Sequence, residues 1–261
     1  MDIQQLKQFK ILVIGDSCQD IYHYGSCDRL SPEAPVPVFK ELNKISMPGM
    51  SANVAENLKS LGTNITHVTN QSVIYKHRFI DSRSRQHLLR VDTGEDKKIE
   101  RADISKIKKI RNLDAVVVSD YNKGFLEPED CKEICKFFNF KKIPVFVDSK
   151  KRDLNCFHNC VLKINEKEFN NSTIMPTNSD ILITLGERGA QYKGKVYPTD
   201  KVEVFDVCGA GDVFLSVLVS FFLLTKDLKQ AIIYANTCAS HSVTKMGTYV
   251  ITLEDLNDIC F

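Results

Sequence analysis

Asp206-Val207-Cys208-Gly209-Ala210-Gly211-Asp212, followed without a break by the apolar run Val213–Leu224, is the most informative stretch of this sequence. Glycines just before a helix let successive backbone N–H groups converge on an anion. The helix N-terminus adds partial positive charge. Asp212 then stands beside the place where a phosphoryl group would be held, and a carboxylate there can take the proton of a hydroxyl attacking phosphorus. The plainer alternative is a tight strand-to-helix turn capped by an aspartate. The run that follows is interrupted only by Ser216 and Ser220 and reads as a buried helix.

Upstream, apolar runs of strand length alternate with helical patterns. Ile11–Ile14, Ile65–Thr69, Ala115–Val118, Val145–Val147, Val161–Ile164 and Ile181–Thr184 read as short buried strands. Ser51–Leu61, stopped by Gly62, and Glu129–Phe138, opened by Pro128, read as helices. Ala190–Tyr197 reads as a hairpin, and two helices follow at about 211–224 and 228–244. This alternation predicts an α/β fold with a mostly parallel central sheet flanked by helices. Residues 21–46 and 76–92 break the alternation and predict a small antiparallel sheet projecting from the main layer.

The 261 residues are 43% hydrophobic and 26% charged, the usual mix of globular chains, which excludes collagen-like and disordered classes. A net charge of +2 gives no strong field for nucleic acid or a membrane surface. The charge runs Lys106–Arg111 and Lys150–Arg152 read as solvated faces. No segment reaches the roughly 20 apolar residues of a membrane span, and residues 1–10 lack the apolar core of a signal peptide, so a cytoplasmic protein is expected. Nine scattered cysteines read as reduced thiols. Cys131/Cys135 and Cys156/Cys160 share a spacing found in zinc sites, but positions i and i+4 of a helix share a face by geometry alone.

Other polar residues follow strand ends, where ligands bind in open α/β sheets. Asp16 and Asp20 suit the vicinal hydroxyls of a sugar. Gly49 precedes a helix presenting Asn53, whose amide suits a hydroxyl. Lys123 suits an anionic group. Asn165 and Glu168 have oxygens able to hold magnesium, directly or through water. Turn aspartates, helix caps and an exposed lysine are the bland alternatives. No Walker A loop and no Gly-x-Gly-x-x-Gly after the first strand is present, so any nucleotide site is built differently.

Together these segments resemble the ribokinase-like (PfkB) carbohydrate kinases. Asp206–Asp212 looks like that family's C-terminal signature, Ile183–Ala190 like its nucleotide-side strand and turn, and Asn165-Glu166-Lys167-Glu168 like its magnesium-associated N-x-x-E element. Within the family, the heptose 7-phosphate kinase domains of ADP-heptose synthesis match best: Val13-Ile14-Gly15-Asp16 with Asp20, Arg29–Val38, Pro48-Gly49 with Ala52–Ala55, Ser119–Gly124 and Lys245–Thr248 carry the likeness. The resemblance implies a single kinase domain over 1–261 that phosphorylates D-glycero-D-manno-heptose 7-phosphate at O1, with ATP, Mg2+ and a monovalent cation. Asp212 would be the general base, assisted by the amides of Gly209, Ala210 and Gly211. Asp16, Asp20, Gly49, Asn53 and Lys123 would hold the sugar. Asn165, Glu168, Thr184, Gly186, Gly189 and Asn236 would serve the nucleotide and metal. Residues 21–46 and 76–92 would form a lid, and paired lids a homodimer. A kinase for another sugar, or a non-catalytic sugar- or nucleotide-binding descendant, stays open. The chain departs from the family at Met50, where a second glycine is usual, and at Cys208, where a threonine is usual. Residues 70–76 and 169–179 are trimmed.

Overall fold

The computed structural model describes residues 2–96 and 99–260. After a short 3-10 turn at Ile3–Gln8, the elements are β1 (Lys10–Gly15), β2 (Ser17–Ser26), β3 (Lys40–Met50), α1 (Ser51–Ser60), β4 (Asn64–Val68), β5 (Tyr75–Asp81) and β6 (His87–Thr93). There follow α2 (Ile104–Ile107), β7 (Ala115–Asp120), α3 (Pro128–Phe140), β8 (Val145–Ser149), β9 (Val161–Asn165), α4 (Glu166–Asn171) and β10 (Asp180–Thr184). The chain ends through β11 (Ala190–Tyr192), β12 (Lys195–Tyr197), α5 (Ala210–Thr225), α6 (Leu228–Ser242) and α7 (Leu253–Cys260).

Eight strands form the main sheet in the order β12-β11-β10-β9-β8-β7-β1-β4. Every pairing from β10 to β4 is parallel, and β11 and β12 close that edge as an antiparallel hairpin. Successive side chains of a strand point to opposite faces. Accordingly Ile11 and Val13 of β1 join one core with α1, α5, α6 and α7, while Leu12 and Ile14 join the other with α2 and α3. A strand buried on both faces has to be a continuous apolar run, which is why these strands were legible in the sequence. In α5, Val213–Phe221 are all buried; Ser216 and Ser220 fit there because their hydroxyls donate to the carbonyls of Asp212 and Ser216, both at 2.8 Å.

The second sheet has the order β3-β2-β5-β6. Its outer pairings are antiparallel, but β2 and β5 run parallel, because β5 is reached through the main sheet by way of α1 and β4. Register sets its faces. Asp20, Lys76 and Asp92 lie abreast, as do Tyr22, Arg78 and Arg90, on the face toward the ends of the main-sheet strands. The trimmed crossover between β9 and β10 holds only the single short helix α4. No helix is long and apolar enough to cross a membrane among the described residues. There is likewise no group of three or more His, Cys, Asp or Glu side chains arranged to hold a metal, so the shared cysteine spacing does not assemble a zinc site.

Candidate active site

Gly209 caps α5 with φ +81°, a left-handed conformation that glycine adopts at little cost. A side chain here would also lie 2.9 Å from Thr248 and 3.0 Å from Asn53. The turn is pinned by Asp206, which accepts hydrogen bonds from the amides of Cys208 (2.9 Å) and Gly247 (3.1 Å). At Gly211 a Cβ would come within 2.9 Å of Lys163 Nζ, so the bare backbone lets that ammonium sit against the first turn. Lys163 is itself buried and paired with Asp148 Oδ2 at 2.6 Å.

Asp212, in the first turn of α5, is 5% exposed. Asn53 Nδ2 donates to its Oδ2 at 2.8 Å and Tyr121 Oη donates to its Oδ1 at 3.0 Å. Burial pushes its carboxyl up to about 6, with Asp148 adding to the push and Asn53, Lys163 and Tyr121 opposing it. A carboxylate poised near neutrality is suited to accept a proton in the physiological range.

Two cavities meet at this carboxylate. The larger, about 590 Å³, runs from Asp148, Lys163 and Asn165 past Thr184, Gly186 and Gly189 to Asn236 and Val243. The smaller, about 320 Å³, lies under the second sheet and is lined by Asp20, Met50, Lys76, Arg78, Arg90, Glu95, Lys123 and Thr248. Tyr121, Lys150, Gly209 and Asp212 line both. The geometry therefore offers a large compartment and a small one, with a base and a glycine turn at the junction.

Most of the sequence-derived candidates converge here. Asp20 lines the small cavity and accepts from Arg78 at 2.9 Å; Gly49 makes room for it, since a Cβ there would lie 2.2 Å from Asp20 Oδ2. Lys123 lines the same cavity and pairs with Glu95 at 2.6 Å. Thr184, Gly186 and Gly189 line the large cavity.

Four placements add an internal partner to the expected role. Asp16 is fully buried; it lines neither cavity and accepts the amides of Tyr121 (2.8 Å) and Phe125 (3.3 Å), so it braces the 121–125 loop. Asn53 is also fully buried, and its amide is engaged by Asp212 and Asn57, which makes it the orienter of the base. Asn165 and Glu168 form a reciprocal cap on α4, each bonding the other's backbone amide at 2.8 Å, and Glu168 Oε1 accepts from Lys150 at 2.5 Å. Each of these oxygens thus has one acceptor position in use. Asn236 backs the large cavity, but its Nδ2 donates to the carbonyl of Tyr197 at 2.8 Å, anchoring the end of β12.

Several residues at the junction escaped the sequence reading. Lys150 belongs to a run read as a solvated face, yet its ammonium lies 4.9 Å from the Tyr121 ring centre between the two cavities. Burial works against its charge, while Asp148, Glu168 and Asp212 hold it protonated. Lys76, 8% exposed, lies over the other part of the same ring at 5.5 Å and has no carboxylate in ion-pair reach among the described residues. Alternation along β5 was the only available signal, since it places Lys76 and Arg78 on one face. Asp148 and Lys163, single charges at the ends of apolar strands, gave a similarly weak one.

A family model described as "pfkB family carbohydrate kinase" matches residues 51–255. The chain belongs to the pfkB family of carbohydrate kinases. It is 30% identical over 305 aligned positions to the bifunctional protein HldE of Campylobacter curvus, covering 97% of this chain and 65% of that protein. The chain thus spans less than two thirds of that relative's length. Its fold resembles Escherichia coli phosphofructokinase-2 in complex with potassium, with a TM-score of 0.73 at 14% identity over 96% of this chain and 97% of the other. It likewise resembles Arabidopsis thaliana ribokinase complexed with ribose and ATP, with a TM-score of 0.69 at 15% identity, covering 96% and 98%.

As a pfkB-family member the protein is an ATP-dependent sugar kinase. Such kinases work with a divalent ion, and the large cavity fits one: Asp148 Oδ1 is a buried carboxylate oxygen without a hydrogen-bond partner. Magnesium beside nucleotide phosphates needs only one or two protein carboxylates. The family departure at Met50 has a structural cost. Met50 holds φ +59°, a left-handed conformation that a side chain rarely adopts, and its side chain lines the small cavity. The match to the Campylobacter curvus protein spans 305 positions against 261 residues here, so that relative carries residues that this chain lacks.

Proposed function

We propose that this chain transfers the terminal phosphoryl group of Mg·ATP to the anomeric hydroxyl of D-glycero-D-manno-heptose 7-phosphate in the cytoplasm, giving the 1,7-bisphosphate. The observation that carries the reading is the meeting of two cavities at Asp212. The acceptor occupies the small cavity and ATP the large one. Asp212 takes the hydroxyl proton as the oxygen attacks phosphorus, and its ionised form is kept in line by Asn53 and Tyr121. The amides at the start of α5, with Lys163 and Lys150 beside them, meet charge on the phosphoryl oxygens. Magnesium, when bound, neutralises phosphate charge; Asp148 is the residue with a free oxygen for it, with Asn165 and Glu168 acting through water.

A phosphorylated acceptor is favoured by charge. Five cations (Lys76, Arg78, Arg90, Lys123, Lys150) face three carboxylates (Asp20, Glu95, Asp212) around the small cavity. A buried ammonium such as that of Lys76 is costly unless an anion joins it. Heptose is favoured by the sequence likeness at Arg29–Val38, although this stretch sits exposed at the lid tip and lines neither cavity. The Met50 side chain narrows the acceptor site and favours, as the alternative, a smaller sugar phosphate. Incubating the protein with Mg·ATP and a panel of sugar phosphates, with products read by mass and phosphorus NMR, tests the reading. The heptose phosphate should gain a phosphate at its anomeric carbon faster than hexose or pentose phosphates do. Turnover of none of them would refute the kinase assignment to a sugar phosphate.

The same reading pairs two copies through their lids. The outward face of the second sheet carries Tyr75, Phe79, Leu89 and Val91, with Leu89 56% exposed. An apolar sheet face of this kind suits an interface. Light scattering at micromolar concentration should give twice the monomer mass; a monomer would refute the pairing.

A further inference from the structure

Four of the nine cysteines, Cys131, Cys135, Cys156 and Cys160, cluster between α3 and the loop before β9, and Cys238 stands thiol against thiol with Cys260. All four thiols of the cluster are buried. The pair differs. Cys238 is fully buried in α6, but Cys260, at the end of α7, is partly exposed, and the two Sγ atoms lie 3.7 Å apart. We propose that Cys238–Cys260 is an oxidation site, at which peroxide converts the pair into a disulfide that staples α7 onto α6.

The chemistry needs one reachable sulfur and one sulfur already beside it. The Cys260 thiolate attacks one peroxide oxygen; the O–O bond breaks, the departing hydroxide is protonated to water, and a sulfenic acid remains. The Cys238 sulfur then attacks the Cys260 sulfur. The S–S bond forms as hydroxide leaves with the Cys238 proton as a second water. Two thiols have given two electrons and two hydrogens to one peroxide. The hydrogen bond from Cys238 pulls the Cys260 thiol below its ordinary value, which raises the thiolate population at the exposed end of the pair. The sulfurs need to close from 3.7 Å to about 2 Å, a movement available to the C-terminal turn that bears Cys260. The four cysteines of the α3 cluster are buried away from the oxidant, so they serve as internal references.

The staple bears on the nucleotide side, because α6 also presents Asn236, Ala239 and Ser240 to the large cavity. Closing a loop over the interval between Cys238 and Cys260 should raise Tm on the order of 5–10 °C. The test treats the whole protein with stoichiometric hydrogen peroxide, blocks free thiols by alkylation, and maps peptides without reduction. The expected result is a Cys238–Cys260 linked peptide, lighter by two hydrogens, together with a Tm rise that dithiothreitol reverses and that Cys260→Ser abolishes. The α3 cysteines should stay reduced and become alkylated only after denaturation. Recovery of Cys260 as alkylated thiol or linked elsewhere, a linked peptide without a Tm rise, or a peroxide-induced Tm rise persisting in Cys260→Ser would each overturn the proposal.

Discussion

Replacing Tyr121 with Phe removes one hydroxyl from the base and keeps the ring on which Lys76 and Lys150 rest. That hydroxyl donates to Asp212 Oδ1 at 3.0 Å and so favours the ionised carboxylate. A hydrogen bond to a charged group in such a place is worth about 1.5 kcal/mol, and about 1.4 kcal/mol corresponds to one pH unit. Asp212 starts at about 6, so the acid limb of kcat/KM should move to about 7. At pH 7 the ionised fraction then falls from about 0.9 to about 0.5, a twofold loss; at pH 5.5 the loss is about eightfold; above pH 8.5 variant and parent converge. The assay is a kcat/KM profile from pH 5 to 9, with product followed by phosphorus NMR so that no coupling enzyme adds its own pH dependence. An acid limb that stays put, or a loss of equal size at every pH, would refute the argument that Tyr121 acts through the ionisation of Asp212.

Other outcomes follow from the same geometry. Gly49→Ala places a Cβ 2.2 Å from Asp20 Oδ2, so it should raise the acceptor KM at least tenfold while leaving the KM for ATP within twofold; equal effects on both would count against Asp20 as an acceptor contact. Lys76→Gln should weaken a phosphorylated acceptor by 10- to 100-fold and leave its unphosphorylated counterpart unchanged, as measured by competition kinetics; parallel losses would dissociate Lys76 from the acceptor's phosphate. Asp212→Asn should stabilise the fold. Burial raises this carboxyl from 3.8 to about 6, so ionising it in the folded state opposes folding by up to about 3 kcal/mol at neutral pH. That penalty is complete above pH 6 and vanishes below about 4, so urea titrations should show the gain at pH 7 and none at pH 3.5; a variant less stable at pH 7 would contradict the burial argument.

The central layer was legible because strands covered on both faces must be apolar throughout; Ile11–Ile14 and Ala115–Val118 show this plainly. The glycine turn and Asp212 were legible because the left-handed cap and the close approach of Lys163 admit little but glycine there. The second sheet was legible as interrupted alternation, but not its parallel β2–β5 pairing, which depends on the route through α1 and β4. The internal roles of Asp16 and Asn53 were hidden for one physical reason. Polar residues at strand ends look alike whether they meet a ligand or a backbone amide, and only the 121–125 loop and Asp212, both distant in sequence, decide between the two. Lys76 and Lys150 hid for the complementary reason: a lysine on an alternating strand or in a charge run reads as solvated until the second sheet folds over it. The helix α7 went unread although Leu253, Leu256, Ile259 and Cys260 recur at helical spacing, because eight residues make a short window for a period; its thiol contact depends on how α7 packs against α6.

The central claim is that phosphoryl transfer takes place at Asp212, where the two cavities join. The most direct measurement uses Asp212→Asn in two experiments on one preparation: calorimetric binding of Mg·ATP and of the acceptor, and single-turnover phosphoryl transfer. Binding of each ligand within a few-fold of the parent, with transfer slowed by about 10²- to 10⁴-fold, is the predicted result. Transfer within tenfold of the parent, with both ligands still bound, would contradict it.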